Sequence, residues 1–274
     1  MARSNLSATR VKPESSELLT LAVVRRERIS PHFTRVTLGG GDAERFRHMG
    51  FDQWFRLFIP VGEDSLSRLP AKLNLVAYAR YLAIAKTSRP VLRNYTVRAY
   101  RADGPGGPEL DVDFVLHGSA ADGTAGPAAS WAQDCGVGDT VAILDEGIGF
   151  HPPGETRQVL LVADESALPA AAGILASLPP GTTGRAVIEI PSGEDRQDIL
   201  TPSGVEVDWV VREDAHAVPG RAALAAATAL PVPRDGCAWV AGESALPVAL
   251  RGYWVAGGMP KADIMFCGYW KSSH

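Results

Sequence analysis

The sequence predicts two domains in succession, an antiparallel β-barrel followed by an α/β domain with a parallel sheet. The first half contains short β-type runs that end near Gly or Pro, whereas strands alternate with helices after about residue 151. A length of 274 residues also favours two domains over one. We expect a flexible polar tail, a barrel domain and an α/β domain at residues 1–16, 17–154 and 155–274 respectively.

The strands of the first domain are recognised by their β-branched and aromatic residues. We predict six of them, at residues 19–29, 32–40, 53–60, 94–101, 109–118 and 137–147. Residues 62–90, a stretch that ends at Pro90, contain one helix-like segment, LNLVAYARYLAIAK at 73–86. Many short strands with few helices favour an antiparallel barrel.

The second domain is predicted from a different pattern. Residues 158–164 form a continuous apolar run, as expected of a strand covered on both faces by helices. Further strands are predicted at residues 185–190, 205–211, 237–243 and 262–270, with helices between several of them. This alternation indicates a parallel sheet.

The string ESALP occurs twice, each time directly after an apolar strand. Ser166 and Ser244 suit helix N-caps, and Pro169 and Pro247 then fall in the tolerated first turn. One interpretation is that similar β–α corners recur because their geometry is similar. The other is that both corners lie at the carboxyl edge of one sheet, where open α/β sheets bind ligands.

Composition excludes several classes of protein. A formal net charge of -4 argues against a general nucleic-acid footprint. The three cysteines are far apart, which favours buried thiols in a reducing cytoplasm over a disulfide framework. No apolar run is long enough for a membrane span, and we expect no signal peptide and a cytoplasmic protein.

The segment Arg93-Asn94-Tyr95-Thr96 offers three kinds of chemistry on one strand. An aromatic ring can lie against a flavin ring, a hydroxyl can hydrogen-bond a ring nitrogen, and an arginine fork can bind a pyrophosphate. Alone, the segment also fits an ordinary strand with charged outer residues.

Further motifs follow in a fixed order: D-F-V-L-H-G at 113–118, G-P-A-A-S-W-A at 126–132, G-D-T-V at 138–141, D-E-S-A-L-P at 164–169, W-V-A-G-E at 239–243 and G-Y-W-K at 268–271. With R-N-Y-T-V-R, this order resembles the siderophore-interacting protein family, a branch of the ferredoxin-reductase-like superfamily. The resemblance covers about residues 17–271.

The resemblance implies an FAD-binding β-barrel followed by a nucleotide-binding α/β domain. It also implies that NADH or NADPH reduces FAD and that FAD then reduces the iron of a ferric siderophore. Oxygen-rich chelators hold Fe(II) less tightly than the harder Fe(III), so reduction releases the metal. The protein supplies positioning rather than the redox chemistry itself.

The resemblance assigns the FAD site residue by residue. Tyr95 would stack on the isoalloxazine, Thr96 would bond its edge and Arg93 would pair with phosphate. Asp113 and His117 would lie beside the ribose or adenine. The remaining residues assigned to FAD are Val97, Val115, Gly118, Ala128, Ala129 and Ser130, the last three holding the pyrophosphate mostly through backbone.

The nicotinamide pocket is assigned in the same way to Asp164, Glu165, Ser166, Trp239, Ala241, Gly242 and Glu243, with Trp270 covering the flavin until the nicotinamide displaces it. Glu189, Glu194 and Asp195 would reject a 2′-phosphate and Arg196 would accept one, so the prediction leans only slightly to NADH. His117 is more often a structural residue than a catalyst at such a position. We predict no catalytic side chain, no metal ligands and no iron–sulfur cluster.

Arg56 and Lys271 are the predicted contacts of an anionic ferric siderophore, against the alternative that both are ordinary solvated charges. Two positions depart from the family pattern, Ser130 where Arg is common and Ala163 where Gly is usual. The chain stops soon after Lys271, so we expect no extended C-terminal helix. We expect a monomer.

Most of these motifs would also be present in two other kinds of protein. A flavin reductase that delivers electrons to a partner protein would need a docking surface. A siderophore-binding protein without hydride transfer would show an altered nicotinamide corner.

Overall fold

The computed structural model describes residues 4–5, 9–62, 64–69, 75–117, 125–152, 154, 157–233 and 236–272. The chain divides into two compact units. The first comprises Lys12–Met49 and Gln53–Gly147. The second comprises Ile148–His274 together with Gly50–Asp52 and the residues before Lys12. The limits expected at residues 16 and 154 differ somewhat from this division, and they stay a prediction.

The first unit is built on a seven-stranded antiparallel sheet. Its strands pair in the order β4-β3-β7-β1-β2-β6-β5. They are β1 (Leu18–Ser30), β2 (Phe33–Gly39), β3 (Trp54–Ile59), β4 (Val91–Thr96), β5 (Ala99–Gly104), β6 (Gly107–Val115) and β7 (Thr140–Gly147).

The single strand predicted at residues 94–101 is wrong, because the chain changes partner in its middle. Strand β4 pairs with β3, whereas β5 pairs with β6. At the corner, the Val97 N–H donates to the Gln53 carbonyl at 2.8 Å and the Arg98 N–H donates to the Asp111 carbonyl at 2.9 Å. The backbone donors of the corner are therefore satisfied although the chain leaves one strand for another.

One face of this sheet forms the core of the first unit, with buried residues that include Leu21, Phe55 and Phe114. Helix α2 (Pro127–Asp134) packs against β2, β4 and β6. Helix α1 (Leu75–Ala83) contributes Tyr81 to a second apolar cluster with Phe58. Hydrophobic burial on both faces explains why β3 reads as an almost continuous apolar run.

The second unit contains a five-stranded parallel sheet in the order β10-β9-β8-β11-β12. Its elements are β8 (Gln158–Ala163), α3 (Leu168–Ser177), β9 (Thr183–Ile190), β10 (Gly204–Val211), α4 (Arg221–Thr228), β11 (Cys237–Glu243), α5 (Ala245–Ala256) and β12 (Ile264–Trp270). The predicted β/α alternation is confirmed, except that β9 and β10 are connected by a 3-10 turn, Gly193–Asp195, rather than an α-helix.

The segment predicted as a flexible tail makes specific hydrogen bonds within the second unit. The Asn5 side chain accepts from the Phe266 N–H at 2.9 Å and donates to the Ile264 carbonyl at 2.7 Å. The Asn5 N–H donates to the Phe266 carbonyl at 3.2 Å. These bonds satisfy part of the open edge of β12, which is the outermost strand of the sheet.

Neither a disulfide nor a membrane-spanning helix is found in the described ranges. Cys135, Cys237 and Cys267 are free thiols. No described helix is both long and apolar enough to cross a bilayer.

The close approach of β8 to β9 gives a testable prediction. Gly184 has φ +141°, and a Cβ there would lie 2.0 Å from the Val159 carbonyl oxygen. We expect Gly184→Ala to lower the free energy of unfolding by more than about 2 kcal/mol, because the backbone must move. Gly181→Ala is the matched control, since a Cβ at Gly181 meets nothing within 4 Å. Equal urea midpoints for the two variants would contradict this interpretation.

Candidate functional site

An aromatic chain joins three of the predicted FAD motifs. The Tyr95 and Phe114 rings have centroids 4.3 Å apart, and Phe114 and Trp131 have centroids 5.5 Å apart. Phe114 is fully buried, whereas Tyr95 and Trp131 are partly buried against the core. The R-N-Y-T strand, the D-F-V strand and the G-P-A-A-S-W helix therefore meet around one buried ring.

The residues on either side of Tyr95 differ in exposure. Arg93 is exposed, and its guanidinium donates to the Leu92 carbonyl at 2.8 Å. Thr96 and Val97 are buried. Burial also raises the pKa of the Tyr95 hydroxyl, so this ring is a neutral phenol near neutral pH.

Helix α2 begins with a turn that suits close approach of an anion. Gly126 is its N-cap and Pro127 occupies the first turn. The first intrahelical bond is the Ser130 N–H to the Gly126 carbonyl, which leaves the amides of Ala128 and Ala129 without an intrahelical partner. The two alanine side chains are buried, so the turn presents backbone amides.

Asp113 is held by two arginines. Its carboxylate accepts from Arg35 Nε at 2.7 Å and from Arg35 Nη2 at 2.9 Å, and Arg98 Nε lies 3.6 Å away. The Asp113 side chain has no exposed surface. The predicted contact of Asp113 with the FAD ribose stays a prediction. Val115 is partly buried and His117 is exposed, while Gly118 lies outside the described residues.

In the second unit, one buried carboxylate joins both ESALP corners. Asp164 Oδ1 accepts from the Ser166 N–H at 2.9 Å and from its hydroxyl at 2.5 Å. Asp164 Oδ2 accepts from the Glu243 N–H at 2.6 Å. Strands β8 and β11 are adjacent and parallel. The prediction that both corners share one carboxyl edge is confirmed.

Asp164 lies in a closely packed, buried environment. Asp164 is fully buried, and burial, followed by the nearby Glu165 charge, raises its pKa to about 7. Gly242 has φ +143°, and a Cβ at that position would lie 2.4 Å from Asp164 Oδ2. Gly242 is therefore required by the carboxylate behind it.

Glu165 belongs to a buried ion-pair network rather than to an open pocket. Arg212 Nη1 donates to Glu165 Oε2 at 2.6 Å and Arg212 Nη2 donates to Glu165 Oε1 at 2.8 Å. Arg212 Nη1 also donates to Glu189 Oε1 at 3.0 Å. Burial opposes the charged guanidinium, but the two carboxylates outweigh it and raise the pKa of Arg212. The three side chains are 0–4% exposed.

Sequence reasoning missed Arg212. It directly follows β10, and the linear sequence gives no sign that it reaches a glutamate after β8 and another within β9. Only the strand order β10-β9-β8 places the three residues side by side.

Glu243 organises the second corner. Its carboxylate accepts from the Ala245 N–H at 2.7 Å and from the Ser272 N–H at 3.1 Å. The prediction of a helix N-cap is confirmed for Ser244, which is the N-cap of α5, and is wrong for Ser166. Ala167 is the N-cap of α3, and the Ser244 hydroxyl donates to the Trp270 carbonyl at 2.5 Å.

The other predicted nicotinamide residues differ in exposure. Trp239 and Ala241 are fully buried inside β11, so neither side chain is open to a ligand. Trp270 ends β12 and is partly buried. Their assigned roles in the nicotinamide pocket stay predictions.

The predicted substrate residues also have different surroundings. Arg56 Nε lies 2.6 Å from Glu146 Oε1, so its charge is largely balanced. Burial lowers the pKa of Arg56. Lys271 is exposed. Across the described part of the chain, no cluster of three or more His, Cys, Asp or Glu residues is arranged to hold a metal ion.

The two units together define a class of protein, a flavin-binding antiparallel domain followed by a parallel-sheet nucleotide-binding domain. Residues 22–148 match the siderophore-interacting FAD-binding domain, and residues 156–273 match the siderophore-interacting protein family. This chain therefore belongs to the siderophore-interacting protein family and contains its FAD-binding domain.

Individual relatives agree with this assignment. The chain is 34% identical over 227 residues to ferric vibriobactin reductase ViuB of Vibrio cholerae, covering 81% of this chain and 78% of that protein. It is 29% identical over 227 residues to an NADPH-dependent ferric-chelate reductase of Escherichia coli, covering 81% of each.

A solved structure of a siderophore utilization protein from T. fusca is 28% identical, with a TM-score of 0.75 over 97% of each chain. An uncharacterized protein of Mycobacterium tuberculosis is 37% identical over 191 residues. That match covers 69% of this chain but spans only 64% of the length of the mycobacterial relative.

The buried network gives a second prediction. We expect Arg212→Met to lower the free energy of unfolding by about 3–5 kcal/mol at pH 8, because two buried glutamates lose their counter-charge. The pKa values of Glu165 and Glu189 should rise in the variant. The loss in free energy of unfolding relative to the parent should therefore become smaller as the pH falls to 5, because the two carboxyls then take up protons.

Arg185→Met is the control for this experiment. Arg185 also pairs with two carboxylates, Glu206 and Asp208, but its side chain is 43% exposed. Its replacement should cost less than about 1 kcal/mol. Denaturation curves that show similar losses in free energy of unfolding for both variants would contradict the larger contribution to stability expected of the Arg212 network.

Proposed function

We propose that this protein is a flavin-dependent reductase that transfers electrons from NADH or NADPH through FAD to a ferric siderophore, releasing iron as Fe(II). The observation that carries the proposal is the convergence of three FAD motifs through Tyr95, Phe114 and Trp131. Relatives named as ferric reductases support the choice of acceptor. We also propose that the protein acts in the cytoplasm as a monomer.

The residues present fit FAD. Tyr95 offers a partly buried ring fixed from behind by Phe114, which suits stacking against a flat cofactor. Exposed Arg93 offers a guanidinium for phosphate. The first turn of α2 offers the amides of Ala128 and Ala129. These three features lie on β4 and α2, which pack together.

FAD, when bound, accepts a hydride from the nicotinamide and gives electrons singly to iron. The residues of this chain bind and orient FAD. Tyr95 holds the plane of the ring, Thr96 bonds its edge and Arg93 neutralises phosphate charge. Asp113 fixes Arg35 and Arg98. No side chain is required as an acid or base for the hydride step.

In the nucleotide-binding unit, Asp164 fixes the relative positions of the two β–α corners. Ser166, Gly242 and Glu243 are held by it and line the carboxyl edge of β8 and β11. Glu165 keeps Arg212 in place instead of meeting the nicotinamide. We propose that the pocket is shaped mainly by backbone at this edge.

The proposed activity has a direct test. Protein with FAD, a nicotinamide nucleotide, a ferric siderophore and a ferrous chelator should form two Fe(II) for each nucleotide oxidised, because a hydride carries two electrons. Tyr95→Ala should raise the Kd for FAD about tenfold through lost stacking. Tyr95→Phe, which keeps the ring, is the control and should bind FAD nearly as well as the parent.

If the nucleotide is oxidised and a protein acceptor is reduced but no Fe(II) forms, the protein is instead a flavin reductase that delivers electrons to a partner protein. FAD and siderophore binding without nucleotide oxidation would favour a binding protein. Either result would contradict the proposal.

The substrate residues need a charge-balanced test. Arg56→Ala alone would remove an ion pair from Glu146, whose side chain is only 8% exposed. We therefore expect Arg56→Ala with Glu146→Gln, and separately Lys271→Ala, to raise the KM for an anionic ferric chelate about fivefold at low salt. The KM for a neutral ferric chelate and the Kd for FAD should hardly change. If the KM for the anionic chelate is unaltered in both variants, neither residue lies at the substrate site.

A further inference from the structure

The end of β9 is the position that decides between NADH and NADPH in a β–α–β unit. In such units, an acidic residue at the end of the second strand binds the ribose hydroxyls of NADH, whereas a nearby arginine accommodates the 2′-phosphate of NADPH. Here the unit is β8-α3-β9, and Glu189 lies next to the last residue of β9. From the sequence, this acid favours NADH.

Glu189 is not available for a ribose. It is completely buried. Its Oε1 accepts from the Gly220 N–H at 2.9 Å and from Arg212 at 3.0 Å, and its Oε2 accepts from the Ala223 N–H at 2.7 Å. The carboxylate is therefore used by the start of α4 and by the buried arginine.

Asp195 is also unavailable to a bound nucleotide. It is fully buried, and its Oδ2 accepts from the Ser192 N–H at 3.0 Å. The Ser192 hydroxyl accepts in turn from the Glu194 N–H at 3.3 Å, which completes a capping box around the 3-10 turn. Two of the three acids that argue for NADH are thus internal to the fold.

Arg196 follows this turn and is exposed. Within the described residues, its guanidinium takes part in no ion pair. Glu194 is also exposed and repels an anion, but this repulsion acts through solvent, whereas an arginine fork binds phosphate bidentately through charge-assisted hydrogen bonds. The net preference of the turn is therefore for a phosphate.

We propose that the turn after β9 receives the 2′-phosphate of NADPH through Arg196, so that NADPH is the preferred electron donor. This inference rests on the proposed function only in taking the bound nucleotide to be the electron donor. Its structural basis is the removal of Glu189 and Asp195 from solvent together with the exposure of Arg196.

The test uses two small probes that need no flavin, 2′,5′-ADP and 5′-AMP, with binding followed by calorimetry on the full chain. The parent protein should bind 2′,5′-ADP at least about tenfold more tightly than 5′-AMP at low salt. Arg196→Ala should remove most of this preference while leaving 5′-AMP binding unchanged. Lys261→Ala is the control, because Lys261 is an exposed cation that precedes β12, at the amino end of the sheet.

The inference is overturned if the parent binds neither probe, if it shows no preference for 2′,5′-ADP, or if Arg196→Ala retains that preference. A preference lost equally in Lys261→Ala would also overturn it, since the effect would then be general charge. Binding that behaves as expected in a protein that never reduces a ferric chelate would leave this inference standing and refute the proposed reductase activity instead.

Discussion

The nucleotide-binding unit depends on buried carboxylates that are fully used by the protein itself. Asp164 accepts three hydrogen bonds that tie the end of β8 to the end of β11. Burying a carboxylate is costly unless its oxygens are satisfied, so this arrangement is stable only with both corners in place. The need for glycine at position 242 and the position of Glu243 follow from that constraint.

The Arg212 network extends the same principle across the sheet. It connects Glu165 and Glu189, and Glu189 also satisfies two amides at the start of α4. A buried ion pair adds little stability compared with apolar packing, but its directional bonds fix one arrangement of three strand ends. Glu165 and Glu189, which the sequence suggests as ligands, thus act as internal supports of the fold.

The antiparallel unit is organised differently, by aromatic packing. Phe114 lies between Tyr95 and Trp131, so a single core residue brings three distant sequence motifs together. The ring proposed to stack on FAD is fixed before the cofactor arrives, and this preorganisation lowers the entropic cost of binding.

Strand periodicity and β/α alternation were sufficient to predict both sheets, because their hydrophobic patterns are local properties of the sequence. The break between β4 and β5 was not predictable, since it reflects a change of hydrogen-bond partner at Val97 and Arg98. The repeated ESALP string also indicated that the ends of β8 and β11 lie at one carboxyl edge. The partners of Asp113, Glu165 and Glu189 come from other strands, so their internal use was visible only once the strand order was known.

The proposed electron path runs from nicotinamide nucleotide to flavin to ferric chelate. The most direct measurement is the anaerobic absorbance spectrum of the protein with FAD, recorded after adding NADPH or NADH and again after adding a ferric siderophore. We expect the flavin bands to bleach with the nucleotide and to recover with the ferric chelate. Flavin that binds but never bleaches with either nucleotide, or that stays bleached after the chelate is added, would contradict this electron path.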